Sequence, residues 1–127
     1  MKYVVPLIIF LLLFIIILDV VTIRYLDKTS ENLNETLSIV EGNIKKGDWE
    51  KAKQYIEKVE KQWKKIDKKW ALIIEHREID EIEMNMEKLK SYIETKNKDL
   101  SMAQLKTVKM LLKYIPQNEK PTLENIF

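Results

Sequence analysis

The opening run, MKYVVPLIIFLLLFIIILDVVTIRY, restricts this chain more than anything that follows it. Val4 to Leu18 is apolar without interruption, and after Asp19 the pattern resumes with Val20, Val21, Thr22 and Ile23 before Arg24. As a helix rising about 1.5 Å per residue, residues 4–23 would measure roughly 30 Å, the thickness of a bilayer's hydrocarbon core. A membrane span is the expectation. The competing reading is a cleaved signal peptide, whose apolar region is about 7 to 15 residues long and is followed by small residues at the cut. Val20-Val21-Thr22 offers no Ala-x-Ala signature, so an uncleaved anchor is favoured, with residues 1–28 as anchor and flank and residues 4–23 in the lipid bilayer.

Few charges orient this anchor. Lys2 and the terminal amine precede the span, while Arg24 and Lys28 follow it, so basic-residue counting nearly ties. A large charged segment behind a short N-terminus has the form of a signal-anchor, which would leave residues 29–127 outside the cytoplasm. Asp19 then falls near the outer interface, where its carboxylate can reach water.

The remainder carries four apolar stripes at helical spacing. Leu33, Leu37, Val40 and Ile44 recur at steps of 4, 3 and 4 until Gly47. The DKTSEN segment before them holds cap-type residues, so anchor and first helix are either one rod or restarted there. Asp48 is placed to cap a second helix. Its stripe is Trp49, Ala52, Ile56, Val59, Trp63, Ile66, Trp70 and Ile73, a heptad seam that holds all three tryptophans of the chain. Each tryptophan can bury about 150–250 Å², so this seam must be covered by something.

Beyond Ile73 the phase changes. Ile79, Ile82, Met86, Leu89 and Ile93 continue the 3, 4 alternation, but the step from Ile73 to Ile79 is six residues instead of seven. In a continuous helix that deletion rotates the seam by about 100° unless the helix overwinds or bends. Charge changes at the same place: residues 45–69 hold ten lysines and five acids, and residues 75–94 hold seven acids against Arg77, Lys88 and Lys90. Folding back near 71–77 would align these opposite flanks, but no Gly or Pro marks a hairpin there. The expectation is therefore a long helix over 48–95, straight or kinked near His76, with its charges met by other helices.

The last helix has a start signal in Ser101 and Gln104, a capping-box pair flanked by Leu100 and Leu105 as a hydrophobic staple. Leu105, Val108, Leu112 and Ile115 form its stripe, and Pro116 is expected to stop it. The fold class is thus all-α: an N-terminal transmembrane helix, then a small antiparallel bundle or hairpin with helices near 30–46, 48–95 and 101–115 and a tail at 116–127.

Chemistry is thin. His76 is the single histidine, and it shares a helical face with Asp80, with Glu83 extending that side. A metal site or an oriented base would use such a pair, but a di-iron bundle site needs a second Glu-x-x-His motif that this chain lacks. A structural polar contact is the better reading. The absence of cysteine removes disulfides, thiolate metal sites and thiol catalysis. The lysines around KKIDKK are interrupted by Glu57, Glu60 and Asp67, and the net charge is only +2, so a solvated helix face is preferred to nucleic-acid binding. The Gly-Asp turn with Ala52 in the next helix is similar to a tetratricopeptide turn, but no repeat of about 34 residues recurs. No phosphate loop and no nucleophile with a base partner is present. The expectation is a protein that is not an enzyme and carries no cofactor.

The N-terminal apolar segment, the middle tryptophans, IIEHREIDEIE from Ile73 to Glu83, MEKLKSYIE and the terminal LENIF together resemble a family of short, single-pass membrane-anchored proteins of clostridia and other spore-forming bacteria, known only as a domain of unknown function. The resemblance implies a location in the membrane and no established activity, and it draws attention to His76, Glu78, Asp80 and Asn125. The Lys- and Ile-rich composition agrees with a Gram-positive source. Two functions are expected on these grounds. The first is an extracytoplasmic interaction or scaffold module for another membrane or envelope protein, or for a second copy through the seam of Trp49, Trp63 and Trp70. The alternative is a sensor or ligand-binding bundle with a polar layer near His76.

Overall fold

The computed structural model describes residues 2–119. It contains four helices, α1 (Val4–Lys46), α2 (Trp49–Ile73), α3 (His76–Glu94) and α4 (Lys98–Asn118), and no strand among the described residues. Each helix packs against the next and α4 closes on α1, which makes an up-and-down four-helix ring. Antiparallel order is visible in the cross-links: Trp63 meets Glu83 while Glu60 meets Lys90, and Asn34 meets Lys109 while Lys45 meets Lys98.

The stripes read from the sequence are the core. Leu33, Leu37, Val40 and Ile44 of α1, Ile82 and Leu89 of α3, and Val108 and Leu112 of α4 are at most 1% exposed. Burying a side chain of this size contributes about 1.5–3 kcal/mol before ordering entropy is subtracted. Trp63 and Trp70 are buried and meet edge to face, with ring centroids 5.3 Å apart, and Trp49 is half-buried against the same core.

The long helix over 48–95 does not form. α2 ends at Ile73, and Ile74 and Glu75 are extended, with φ of −101° and −58°. Both are ordinary negative values, so the turn needs no glycine and leaves no mark in the sequence. Folding back lets the two seams, out of phase across the six-residue step, face one core. It also sets α2 beside α3, where Lys90 Nζ of α3 lies 3.3 Å from Glu60 of α2, an ion pair of the opposite sense to the net charges of the two helices. Ile74 tucks its side chain into the core at 3% exposure and donates its amide to the Trp70 carbonyl.

The other two turns share a design. At Gly47, φ is +75°, and the amides of Gly47 and Asp48 donate to Ile44 and Asn43 in a Schellman closure; Asp48 then accepts from the Lys51 amide at 3.1 Å. At Lys96, φ is +56°, the amides of Lys96 and Asn97 donate to Ile93 and Tyr92, and Asn97 accepts from the Leu100 amide at 3.0 Å.

α4 accordingly starts at Lys98, capped by Asn97, and Ser101 is no cap: it lies inside the helix, fully buried. Gln104 reaches across to Asn85 of α3, 2.7 Å from its Oδ1, and does not fold back on the helix start. Nor does Pro116 stop α4, which runs on to Asn118. A proline in a helix removes the amide that would bond the carbonyl four residues earlier. Here that carbonyl belongs to Leu112, and the buried hydroxyl of Ser30 on α1 donates to it instead.

α1 is one unbroken rod. The polar residues of DKTSEN bond sideways or backwards instead of capping: Thr29 donates to the Tyr25 carbonyl at 2.8 Å and accepts from Trp70 Nε1 at 3.0 Å, and Ser30 serves Leu112.

Candidate interaction surface

The bundle leaves one large apolar surface uncovered. Every residue of α1 from Val4 to Val21 is exposed, and cover by the other helices begins at Thr22. At about 1.5 Å per residue the projecting rod is roughly 27 Å long. Apart from Asp19 near its bundle end it is apolar on all sides, which is the pattern of a helix meant to be surrounded and not to face water on one side. Among the described residues nothing buries its apolar window.

Where the rod enters the bundle, the α2–α3 turn and the end of α4 lie beside it. Asp19, Thr22, Ile23 and Leu26 of α1 line one cleft with Ile73 and Glu119, and Val21, Thr22 and Tyr25 line a second with Lys69, Leu72 and Ile73. The second is walled mostly by carbon. Leu72 stands 88% exposed at its mouth, and the Lys69 ammonium lies 5.8 Å from the centre of the Tyr25 ring.

The residues singled out from the sequence fall in two groups. Trp63 and Trp70 are consumed by the core, donating their indole N–H groups to Glu83 and Thr29. The seam is covered by α1 and α3 of the same chain. His76, Glu78 and Asp80 lie together at the start of α3 but do not form an interior polar layer: the His76 side chain is 86% exposed, 3.5 Å from Asp80. The i, i+4 spacing brings these two together on the surface of α3, while Glu78 faces a different way and is half-buried. Burial, together with Glu119 and Glu75, raises the Glu78 carboxyl above the usual carboxylate range. Among the described residues no three His, Asp or Glu side chains come together as a metal set. Asn125, like Leu123, Ile126 and Phe127 of the tail, lies outside the described residues.

Sequence reasoning missed Leu72 and Ser30. Leu72 is an apolar residue off the seam, next to a break that the residue types do not announce. Ser30 looked like a cap, and only its distance from Pro116 along the chain conceals their relation.

A ring of four antiparallel helices carried on a projecting apolar helix defines the class: a helical bundle with a long N-terminal apolar segment, which by length and composition is a candidate membrane span. Residues 20–126 match the family described as Domain of unknown function (DUF4363), and the chain belongs to that family. The match starts in the last part of the apolar run, so it covers the bundle and leaves most of the rod aside. Neither a curated protein nor a solved structure matches the chain.

Proposed function

We propose that this protein is a single-pass membrane protein in which residues 4–23 cross the bilayer and the bundle serves, without catalysis, as an extracytoplasmic interaction or scaffold module for another membrane or envelope protein or for a second copy. The observation that carries the reading is the exposed rod: Val4 to Val21 has no cover among the described residues, and its length fits a hydrocarbon core of about 30 Å. The tryptophans are spent on internal packing, so binding falls to the rod, to exposed bundle faces, or to the end of the bundle where α1 emerges.

The absence of cysteine makes the test direct. Membranes from cells producing the full chain are washed at alkaline pH, and single-cysteine variants are labelled with a membrane-impermeant thiol reagent. Retention in the pellet, with Leu100→Cys labelled in intact cells, is the expected result. Release by alkali would refute the anchor, and labelling of that cysteine only after lysis would reverse the sidedness.

A further inference from the structure

We propose that the α2–α3 turn is a second membrane contact, with Leu72 inserted at the boundary between headgroups and acyl chains of the bilayer that α1 crosses. This rests on the reading of α1 as a span and goes beyond it by assigning a lipid-binding face to the folded bundle.

The geometry leaves the turn little choice. The uncovered rod from Val4 to Val21 is roughly 27 Å long, slightly shorter than a hydrocarbon core of about 30 Å. Thr22, the next residue, is already covered by the bundle, and it shares clefts with Ile73 and Leu72. A bundle standing clear of the headgroups would need free helix between span and bundle, and α1 has none. Any tilt of α1 brings the bundle end closer still.

The chemistry of that end fits an interface on one flank. Leu72 is 88% exposed, and its surface is continuous, through Val21, with the uncovered apolar surface of the rod. Tyr25 sits beside it, a residue type enriched at membrane–water boundaries. Lys69, over the Tyr25 ring, and the exposed Lys68 and Arg24 can meet lipid phosphates about one helical turn above Leu72. Asp19 and Glu119 line the cleft on the other flank of Ile73. The bundle therefore has a lipid-compatible side, toward α2, and an acidic side that favours water, which fixes the direction in which it leans.

The test uses the full chain in vesicles of phosphatidylcholine and phosphatidylglycerol, with an environment-sensitive fluorophore on a single cysteine. Leu72→Cys is the probe, Phe14→Cys the control within the rod, and Leu100→Cys the control at the far end of the bundle. Because Leu72 is exposed, its replacement should leave the helical content unchanged. The expected result is a blue-shifted Leu72→Cys label that loses most of its emission to lipids brominated high on the acyl chain, a Phe14→Cys label quenched by lipids brominated deeper, and an unquenched Leu100→Cys label. Quenching at position 14 with none at position 72 overturns the proposal and leaves the span intact. Absence of quenching at position 14 removes the span, and the second contact falls with it.

Discussion

Replacing Ser30 with alanine isolates a place where a side chain of another helix takes over a backbone hydrogen bond that α4 cannot make for itself. The Leu112 carbonyl has lost its amide partner to Pro116, and the Ser30 hydroxyl supplies the substitute. Both residues are buried, so Ser30→Ala leaves a carbonyl that water cannot reach easily. An unsatisfied buried polar group costs about 1–3 kcal/mol. For a domain near 100 residues each kcal/mol lowers Tm by about 4–8 °C. In a Pro116→Ala background the residue-116 amide returns to the Leu112 carbonyl, and the same serine change should then cost about 1 kcal/mol or less. The coupling between the two positions is therefore expected to be about 1 kcal/mol or more in a double-mutant cycle. The assay is thermal unfolding of the full chain in mild detergent, followed by tryptophan emission. Trp63 and Trp70 are buried in the bundle and report its opening, whereas helical signal from the rod would persist. If Ser30→Ala costs the same in both backgrounds, within about 0.5 kcal/mol, the hydroxyl is not substituting for the missing amide and the reasoning fails.

Further outcomes can be read in the same assay. The two left-handed turn positions should respond in opposite directions: Gly47→Ala, where φ is +75° and the added methyl meets nothing within 4 Å, is expected to destabilise by about 1 kcal/mol from backbone strain alone, and Lys96→Gly, at φ +56°, to stabilise by up to about 1 kcal/mol. Trp70→Phe removes the donor to Thr29 and part of the edge-to-face contact with Trp63, and is expected to cost about 1–3 kcal/mol. Glu78 binds its proton more tightly in the folded protein, because burial, Glu119 and Glu75 raise its pKa above 4.5. Its contribution is thus most favourable below the unfolded pKa and is lost as pH rises through the raised folded value. Glu78→Gln, which cannot ionise, should be more stable than wild type at neutral pH, with the gap closing below pH 4.5; a gap that widens on acidification would contradict this sign.

Most of the fold was legible because helical periodicity is a local property. The stripes at Leu33–Ile44, Trp49–Ile73, Ile79–Ile93 and Leu105–Ile115 are the buried faces of α1, α2, α3 and α4, since a spacing of 3 and 4 keeps side chains on one side of any helix, whatever covers it. The apolar run was equally plain, as its length and composition need no partner to be read. Gly47 and Asp48 announced their turn because a left-handed residue and an amide-accepting side chain have strong residue preferences. Lys96 and Asn97 build the same turn with a residue that does not advertise it.

The direction of the chain after Ile73 was decided by tertiary structure. The six-residue step and the change of charge sign at His76 are consistent with either a rotated seam on one long helix or two seams facing one core. Residues with negative φ in the turn carry no signature that separates these. What separates them is burial at long range: only the fold-back covers Trp63 and Trp70 with α1 and α3 and brings Lys90 to Glu60. The same holds for the small polar residues. Ser30 and Ser101 each have the chemistry of a cap, and the sequence assigned them by that chemistry. In the bundle one bonds the α4 carbonyl left without an amide by a proline 86 positions away along the chain, and the other is buried within α4. A hydroxyl's partner is set by which backbone group lacks a bond nearby in space, and that is fixed only when the helices have docked.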